Sequence, residues 1–382
     1  MTTASQEKPQ NDLDAAIAGA SKTRYWLSRF ILLRFLGFIY FIAFLCAVQQ
    51  IVPLIGHDGL LPADDYLHRL ATHFGSNTDG FFELPSVFWF GISDGALLTV
   101  SWIGLVLSFI VMCGYANSLI MLALWGLYMS IMNVGQLWYG YGWEMQLLET
   151  GFLGVFLCPL FDPRPFPRHA PPVVVFWLYR WLIFRIMLGA GLIKIRGDAC
   201  WRDLTCLYYH YETQPIPNPI SWWLHFRPHW FQKFGVLWNH IIELVVPWFC
   251  FYPRKARHAA GVLMAGFQVV LIISGNLSFL NWLTIVPCLA CFDDTFWARL
   301  LPRALVQRAE AAGDAAALRP SSPAAEFAVV ALAFVVAILS IEPVTNLISP
   351  GQVMNTSFNR LNLVNTYGAF GTVGRERFEI VF

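Results

Sequence analysis

The chain has 382 residues, 57% of them hydrophobic and 16% aromatic, while charged residues make up only 13%, about half the roughly 25% of soluble domains. That composition excludes a soluble globular protein, and a net charge of +1 excludes a nucleic-acid partner, whose phosphates call for a basic surface. Eight cysteines in a chain of this length do not make a disulfide scaffold.

The polar N-terminal residues lack the apolar core and small-residue cleavage site of a signal peptide, so residues 1–29 read as a retained tail. No Asp, Glu, Lys or Arg occurs between Asp94 and Glu144, a stretch far longer than the about 20 residues of one membrane-spanning helix. Apolar runs predict about nine spans, at residues 30–52, 93–113, 117–138, 143–161, 173–195, 236–252, 259–275, 277–292 and 325–342. The alternative for 259–292 is one tilted span followed by a re-entrant piece. The predicted fold is an all-α integral membrane protein, a polytopic helical bundle over residues 30–342 with a short extracytoplasmic, β-containing tail over 343–382. An Ala-rich cytoplasmic linker, about 293–324, is expected to be helical only locally.

Lys and Arg in short loops resist translocation and mark the cytoplasmic side. The N-terminal tail carries Lys8, Lys22, Arg24 and Arg29, and the loops after the fourth, sixth and eighth spans carry Arg164 and Arg168, then Arg254, Lys255 and Arg257, then Arg299, Arg303, Arg308 and Arg319. The loop at about 53–92 has Asp58, Asp64, Asp65, Asp79 and Glu83 against Arg69 alone. The N-terminus is therefore expected in the cytoplasm, and the loops 53–92 and 197–235 and the C-terminus outside it.

The 197–235 loop is rich in Trp and Tyr, which settle at headgroup level. Pro215, Pro217, Pro219 and Pro228 break it into short helical pieces. Cys200 and Cys206 lie on the oxidising side, where a small-loop disulfide or an active thiol pair is open to them. His210, His225, His229 and His240 have no dense ligand spacing and Pro228 interrupts the one i,i+4 pair, so no metal and no cofactor is expected. Cys288 and Cys291 read as core thiols.

A charge inside the bilayer needs a partner or a task. Glu144 and Glu149 open the fourth span, Arg180 and Arg185 lie in the fifth with Lys194 near its end, and His240 and Glu243 share a face of the sixth. One reading makes Glu149 and Glu243 counter-ions of Arg180 and Arg185, struts of the bundle. Another makes Lys194 a buried base, and a third lets Lys194 snorkel to the interface.

The run Gly197 to Cys206 (Gly-Asp-Ala-Cys-Trp-Arg-Asp-Leu-Thr-Cys), followed by His210 to Pro219 (His-Tyr-Glu-Thr-Gln-Pro-Ile-Pro-Asn-Pro), resembles the signature of the lipase maturation factor family. The blocks Trp143 to Phe152, Gly189 to Gly197, Asn239 to Leu244, Gly275 to Trp282, Phe292 to Asp294 and Asn365 to Gly371 resemble it too, in order along the chain. The resemblance implies a membrane-embedded chaperone that helps exported proteins, lipases above all, reach an active fold. Its partners would be a client lipase or other exported protein and membrane lipids. It would sit in the endoplasmic reticulum membrane of a eukaryote or the inner membrane of a bacterium. The family signature falls here on Asp198, Trp201, Arg202, His210, Tyr211, Glu212, Gln214 and Asn218. Family members continue past the Asn-Thr-Tyr-Gly-Ala-Phe-Gly block, so residues 343–382 read as the start of a truncated domain, ending in a strand at 377–382. A more distant similarity, through Gly189-Ala190-Gly191-Leu192-Ile193-Lys194 and Gly59-Leu60-Leu61-Pro62, reaches the membrane domain of vitamin K-dependent γ-carboxylases. It implies the alternative function: a membrane enzyme on a lipidic or quinone-like substrate with Lys194 as general base.

Overall fold

A computed structural model describes residues 24–214, 216–317, 322–376 and 378. Its first helix, α1 (Trp26–Ile55), has no side-chain cap of its own at Tyr25. The Asp294 carboxylate supplies one from far along the chain, accepting from the backbone N–H of Trp26 (2.9 Å) and Leu27 (2.8 Å). The orphan donors and positive end of a helix are thus met by an anion. Two short helices, α2 (Ala63–Phe74) and α3 (Asn77–Glu83), fold the first loop back. Ser93 and Asn117 then cap α4 (Asp94–Met112) and α5 (Ser118–Val134) by accepting from Ala96 and Ile120 N–H.

The polar fourth segment is α6 (Gly142–Leu157), and α7 (Val173–Arg196) is the most enclosed of the long helices. The proline-rich loop forms α8 (Ala199–Arg202), α9 (Leu207–Thr213) and α10 (Pro219–His225). Next, α11 (His229–His240) runs on through a π-helical turn, Ile241–Val245, into a 3₁₀ turn, Val246–Phe251. Pro247 donates no N–H, so the regular ladder cannot continue there. After α12 (Arg254–Ser274) and α13 (Leu280–Cys288), the short α14 (Asp294–Trp297) leads to α15 (Arg303–Ala317), α16 (Pro323–Leu339) and α17 (Ile341–Ile348).

Among the described residues, six helical segments are long and apolar enough to cross a membrane: Trp26–Ile55, Asp94–Met112, Val173–Arg196, His229–Phe251, Arg254–Ser274 and Pro323–Ile348. The chain is an all-α polytopic membrane protein. The other three expected spans are helices too, but shorter, and α13 has only 9 residues, about 14 Å of rise. The segment 275–293 nonetheless joins opposite ends of the bundle. It leaves the end of α12, where Gln214 reaches Ser274, and returns to its start, where Arg257 donates to the Cys291 carbonyl (2.8 Å) and pairs with Asp293, so its shortness does not make it re-entrant.

Two further expectations need correction. The Ala-rich linker is not loosely structured: α15 docks on α1, burying Ala309 and Ala316 beside Trp26 and Leu27, and Arg24 pairs with Asp314 at 3.0 Å. Nor is the segment after α17 a separate unit. A two-residue antiparallel ladder, β1 (Thr356–Ser357) with β2 (Asn365–Thr366), carries the Asn365 to Gly371 block into the bundle, where Asn365, Thr366 and Tyr367 are buried. The expected strand at 377–382 and the basic residues Lys8, Lys22 and Arg319 lie outside the described residues, Phe378 apart.

One end of the bundle gathers the basic loops. Asp293, fully buried, meets Arg254 (3.0 Å), Arg257 (2.9 Å) and His258 (3.3 Å), and Arg29 donates to the His169 carbonyl (3.1 Å). Burial pushes the Asp293 carboxyl up, but contact with His258, a hydrogen bond from Thr295 and the charge of Arg254 outweigh it and hold it well below the usual carboxylate range.

Candidate functional site

The opposite end is built around the last turns of α7. Gly189 and Gly197 leave room there for backbone: an added Cβ would stand 2.3 Å from the Tyr367 carbonyl oxygen and 2.1 Å from that of Gly371. The absence of side chains lets the Asn365 to Gly371 block lie directly against α7. Polar groups then hold it. Gln352 Nε2 donates to the Gly189 carbonyl (3.0 Å) and Arg196 Nη1 to Gln352 Oε1 (2.8 Å). Asp198 N–H donates to the Gly371 carbonyl (2.8 Å), and Trp201 Nε1–H to that of Phe370 (2.7 Å).

Glu149 on α6 anchors the same block from inside. It pairs with Arg185 and accepts from Asn365 N–H (3.0 Å) and Tyr367 O–H (2.7 Å). Arg185 Nη1 also donates to the Asn365 carbonyl (2.6 Å). Arg180 is not part of this group: it donates to the Ala290 carbonyl (2.9 Å) and the Tyr25 hydroxyl (2.8 Å). Glu144 accepts from the Tyr128 hydroxyl. Glu243 does not neutralise either arginine. Both of its oxygens hold the Lys194 ammonium, at 2.5 and 2.7 Å, and Asn239 Nδ2 donates to it as well (2.7 Å). Lys194 is only 3% exposed, so the snorkelling reading is corrected: the lysine turns inward, towards Glu243 and the Trp201 ring (5.3 Å).

The signature loop closes over this end. Cys200 and Cys206 are joined in a disulfide, and Asp198 accepts from Cys200 N–H (3.0 Å). Arg202 Nη1 caps α7 by donating to the Ile195 carbonyl (2.8 Å). His210 packs edge-on against Phe370 (5.1 Å). Gln214 Nε2 donates to the Ser274 carbonyl (3.2 Å) and Asn218 Nδ2 to that of Ile272 (3.4 Å), fastening the loop to the end of α12. Glu212 reaches His225 (3.3 Å), His229 stacks on Tyr208 (4.2 Å) and His240 Nε2 donates to the Trp201 carbonyl (3.0 Å). Each of these histidines serves a different neighbour, and among the described residues no three His, Cys, Asp or Glu side chains converge on one point. Cys288 and Cys291 are buried thiols, Cys291 Sγ lying 3.6 Å from Cys250 Sγ.

Beneath the loop lies a cavity of about 320 Å³, walled by Trp143, Met187, Lys194, Trp201, His210, Tyr211, Glu243, Phe267 and Phe370. Burial and the nearby charge of Lys194 push the His210 imidazole down to about 4. Since the unfolded histidine titrates near 6.5, the unfolded state binds the extra proton first. Stability is then complete above about pH 6.5 and falls as pH drops towards 4. The melting temperature should decline from pH 7 to pH 5, and less steeply in His210→Gln; equal slopes would remove His210 as the cause.

Sequence reasoning missed Asn365 and Tyr367 as partners of Glu149, because a contact across more than two hundred residues leaves no periodic trace. It also missed Gln146, Gln268, Asn281 and Thr284 around the cavity. A signal existed: an isolated carboxamide in an apolar span is expensive and asks for a partner.

Residues 27–299 match the family model of the lipase maturation factor transmembrane domain. The chain is 52% identical to lipase maturation factor 1 of Bos taurus over 386 residues, 97% of this chain and 69% of that protein. It is 50% identical to lipase maturation factor 1 of Homo sapiens over 94% of this chain and 66% of that one. To lipase maturation factor 2 of Xenopus laevis it is 38% identical, over 70% of this chain and 39% of that one. The chain thus spans about two thirds of the length of the first two relatives. No solved structure matches it. The chain belongs to the lipase maturation factor family.

Proposed function

We propose that this chain, as a member of the lipase maturation factor family, is a membrane-embedded factor that assists the maturation of exported proteins, with lipases as clients. The observation that carries this reading is the 52% identity to a protein named lipase maturation factor 1 across 97% of the chain. The site is compatible with it. Asp198, Arg202, Gln214 and Asn218 are committed to capping helices and fastening the loop, which suits a rigid platform facing a client. Base catalysis by Lys194 has less support, since both oxygens of Glu243 hold its ammonium.

In this reading the signature loop and the Asn365 to Gly371 block face the endoplasmic reticulum lumen, or the periplasm if the cell is bacterial. The N-terminus and the basic end around Asp293 face the cytoplasm. The grouping of Arg29, Arg254 and Arg257 at one end follows the positive-inside bias, and the Cys200–Cys206 disulfide suits an oxidising compartment.

The test is co-expression with a secreted dimeric lipase in cells lacking their own factor. The chain should raise the activity secreted per lipase molecule. An unchanged specific activity, with the chain present in the membrane, would sink the reading. In the same cells an impermeant thiol reagent should spare a cysteine placed at Lys255; labelling there from outside reverses the orientation.

A further inference from the structure

The cavity beneath the signature loop holds more hydrogen-bonding capacity than the protein uses. Five carboxamides line it: Gln146, Asn239, Gln268, Asn281 and Asn355, of which Asn355 accepts from Gly368 N–H (3.4 Å). Gln146, Gln268 and Asn281 are 1%, 4% and 4% exposed. Gln146 Nε2 donates to the Thr284 hydroxyl (3.0 Å) and Asn239 Nδ2 to Glu243 (2.7 Å), but Gln268 Nε2 reaches only the Met187 sulfur, at 3.6 Å. The Asn281 side chain has no hydrogen-bond partner among the described residues, and the carboxamide oxygens of Gln146, Asn239, Gln268 and Asn281 accept no bond from them. Buried amides are paired as a rule, and these oxygens are instead open to the cavity, where a bound molecule can meet them. Four around one cavity point to a molecule that fills it and brings both donors and acceptors.

Charge and shape narrow the class. Lys194 and Glu243 neutralise one another and the carboxamides are neutral, so a phosphate or carboxylate group would enter without a free counter-charge. Trp143, Met187 and Phe267 supply apolar walls. Val270 of α12 and Trp238 of α11 both line the cavity, and Val270 is 48% exposed, so the wall between these helices is where acyl chains would pass. A volume of about 320 Å³ holds about ten water-sized groups, enough for a head group and the first carbons of its tails.

We propose that the cavity binds the head group of an uncharged, hydroxyl-bearing glycerolipid, a mono- or diacylglycerol, whose acyl chains pass between α11 and α12 into the bilayer. The free hydroxyl (two in a monoacylglycerol) would donate to a carboxamide oxygen, and ester carbonyls would accept from Gln268 and Asn281. A sterol has no ester carbonyl and offers the Gln268 and Asn281 amides only its hydroxyl oxygen. The inference does not depend on which client the protein serves.

The experiment places the full chain in phosphatidylcholine nanodiscs with a photoactivatable diacylglycerol. Labelling should be saturable, map to α12 and α13, and be competed by unlabelled diacylglycerol but not by phosphatidic acid or cholesterol. Gln268→Leu and Asn281→Leu should each weaken it about tenfold, a loss typical of a buried hydrogen bond, without lowering the melting temperature. For the unaltered chain, diacylglycerol added to protein in detergent should raise the melting temperature, which keeps the test decisive if a variant fails to fold. No labelling, equal competition by phosphatidic acid or cholesterol, unaltered labelling in both variants, or no thermal response would each overturn the proposal and leave the cavity to water.

Discussion

Arg185→Met will destabilise the protein by about 3–5 kcal/mol, because it leaves the Glu149 carboxylate buried without its counter-ion. Glu149 and Arg185 are both almost wholly buried and pair with one another, and Glu149 also receives the Asn365 N–H and the Tyr367 hydroxyl. Losing the pair therefore loosens the C-terminal block as well as the bundle. Glu149→Gln alone should cost a comparable amount by stranding the guanidinium. The double variant Glu149→Gln with Arg185→Met should recover most of the loss, since the glutamine oxygen still accepts from Asn365 and Tyr367. Melting temperature and folded yield across the cycle measure the coupling. Arg180→Met is the control: its partners are the Ala290 carbonyl and Tyr25, so its effect should add to that of Glu149→Gln. Additivity for Arg185, or coupling for Arg180 in its place, would show that the pair does not hold this end together.

Lys194 is the second position where a single change should be large. Lys194→Met leaves Glu243 charged, buried and short of its cation, again at about 3–5 kcal/mol, and Lys194→Met with Glu243→Met should restore abundance. Lys194→Arg keeps a cation against Glu243 and, in a maturation factor, should leave client activation close to normal. An arginine cannot give up its proton at working pH, so if the lysine were a general base the same change would abolish function in protein of normal abundance. Abundance and client activity must therefore be scored separately. Normal abundance with lost function in both Lys194→Arg and Lys194→Met would replace the maturation factor with an enzyme. Retained function in the arginine variant removes lysine base catalysis.

Glu144, Glu149, Arg180, Arg185, Lys194 and Glu243, expected inside the membrane, are buried, but their pairing could not be read from the sequence. Three carboxylates and four nearby bases allow many combinations, and hydropathy treats them alike. The choice of Arg185 over Arg180 depends on helix rotation: Arg180 lies nearer the end where the Ala290 carbonyl and Tyr25 are available. Glu243 meets Lys194 because the π-helical turn Ile241–Val245 and the end of α7 bring those two side chains together. Gly189 and Gly197 stood out in the sequence as part of a motif, yet their task, making room for the Tyr367 and Gly371 carbonyls, belongs to a contact made late in the chain.

By itself the sequence determined that this is an all-α polytopic membrane protein, where its helices lie and which family it belongs to. These follow from local quantities: the length of apolar runs against the bilayer, prolines that break helices, and short motifs read in order. Only the tertiary structure decided that the linker is a docked helix and that the Asn365 to Gly371 block is part of the bundle. It alone showed a cavity lined by carboxamides beside a neutral Lys194–Glu243 pair. In lipid the apolar faces of helices are nearly interchangeable, so the arrangement rests on close packing and a few polar contacts. Those contacts join residues far apart in the chain, and no local pattern records them.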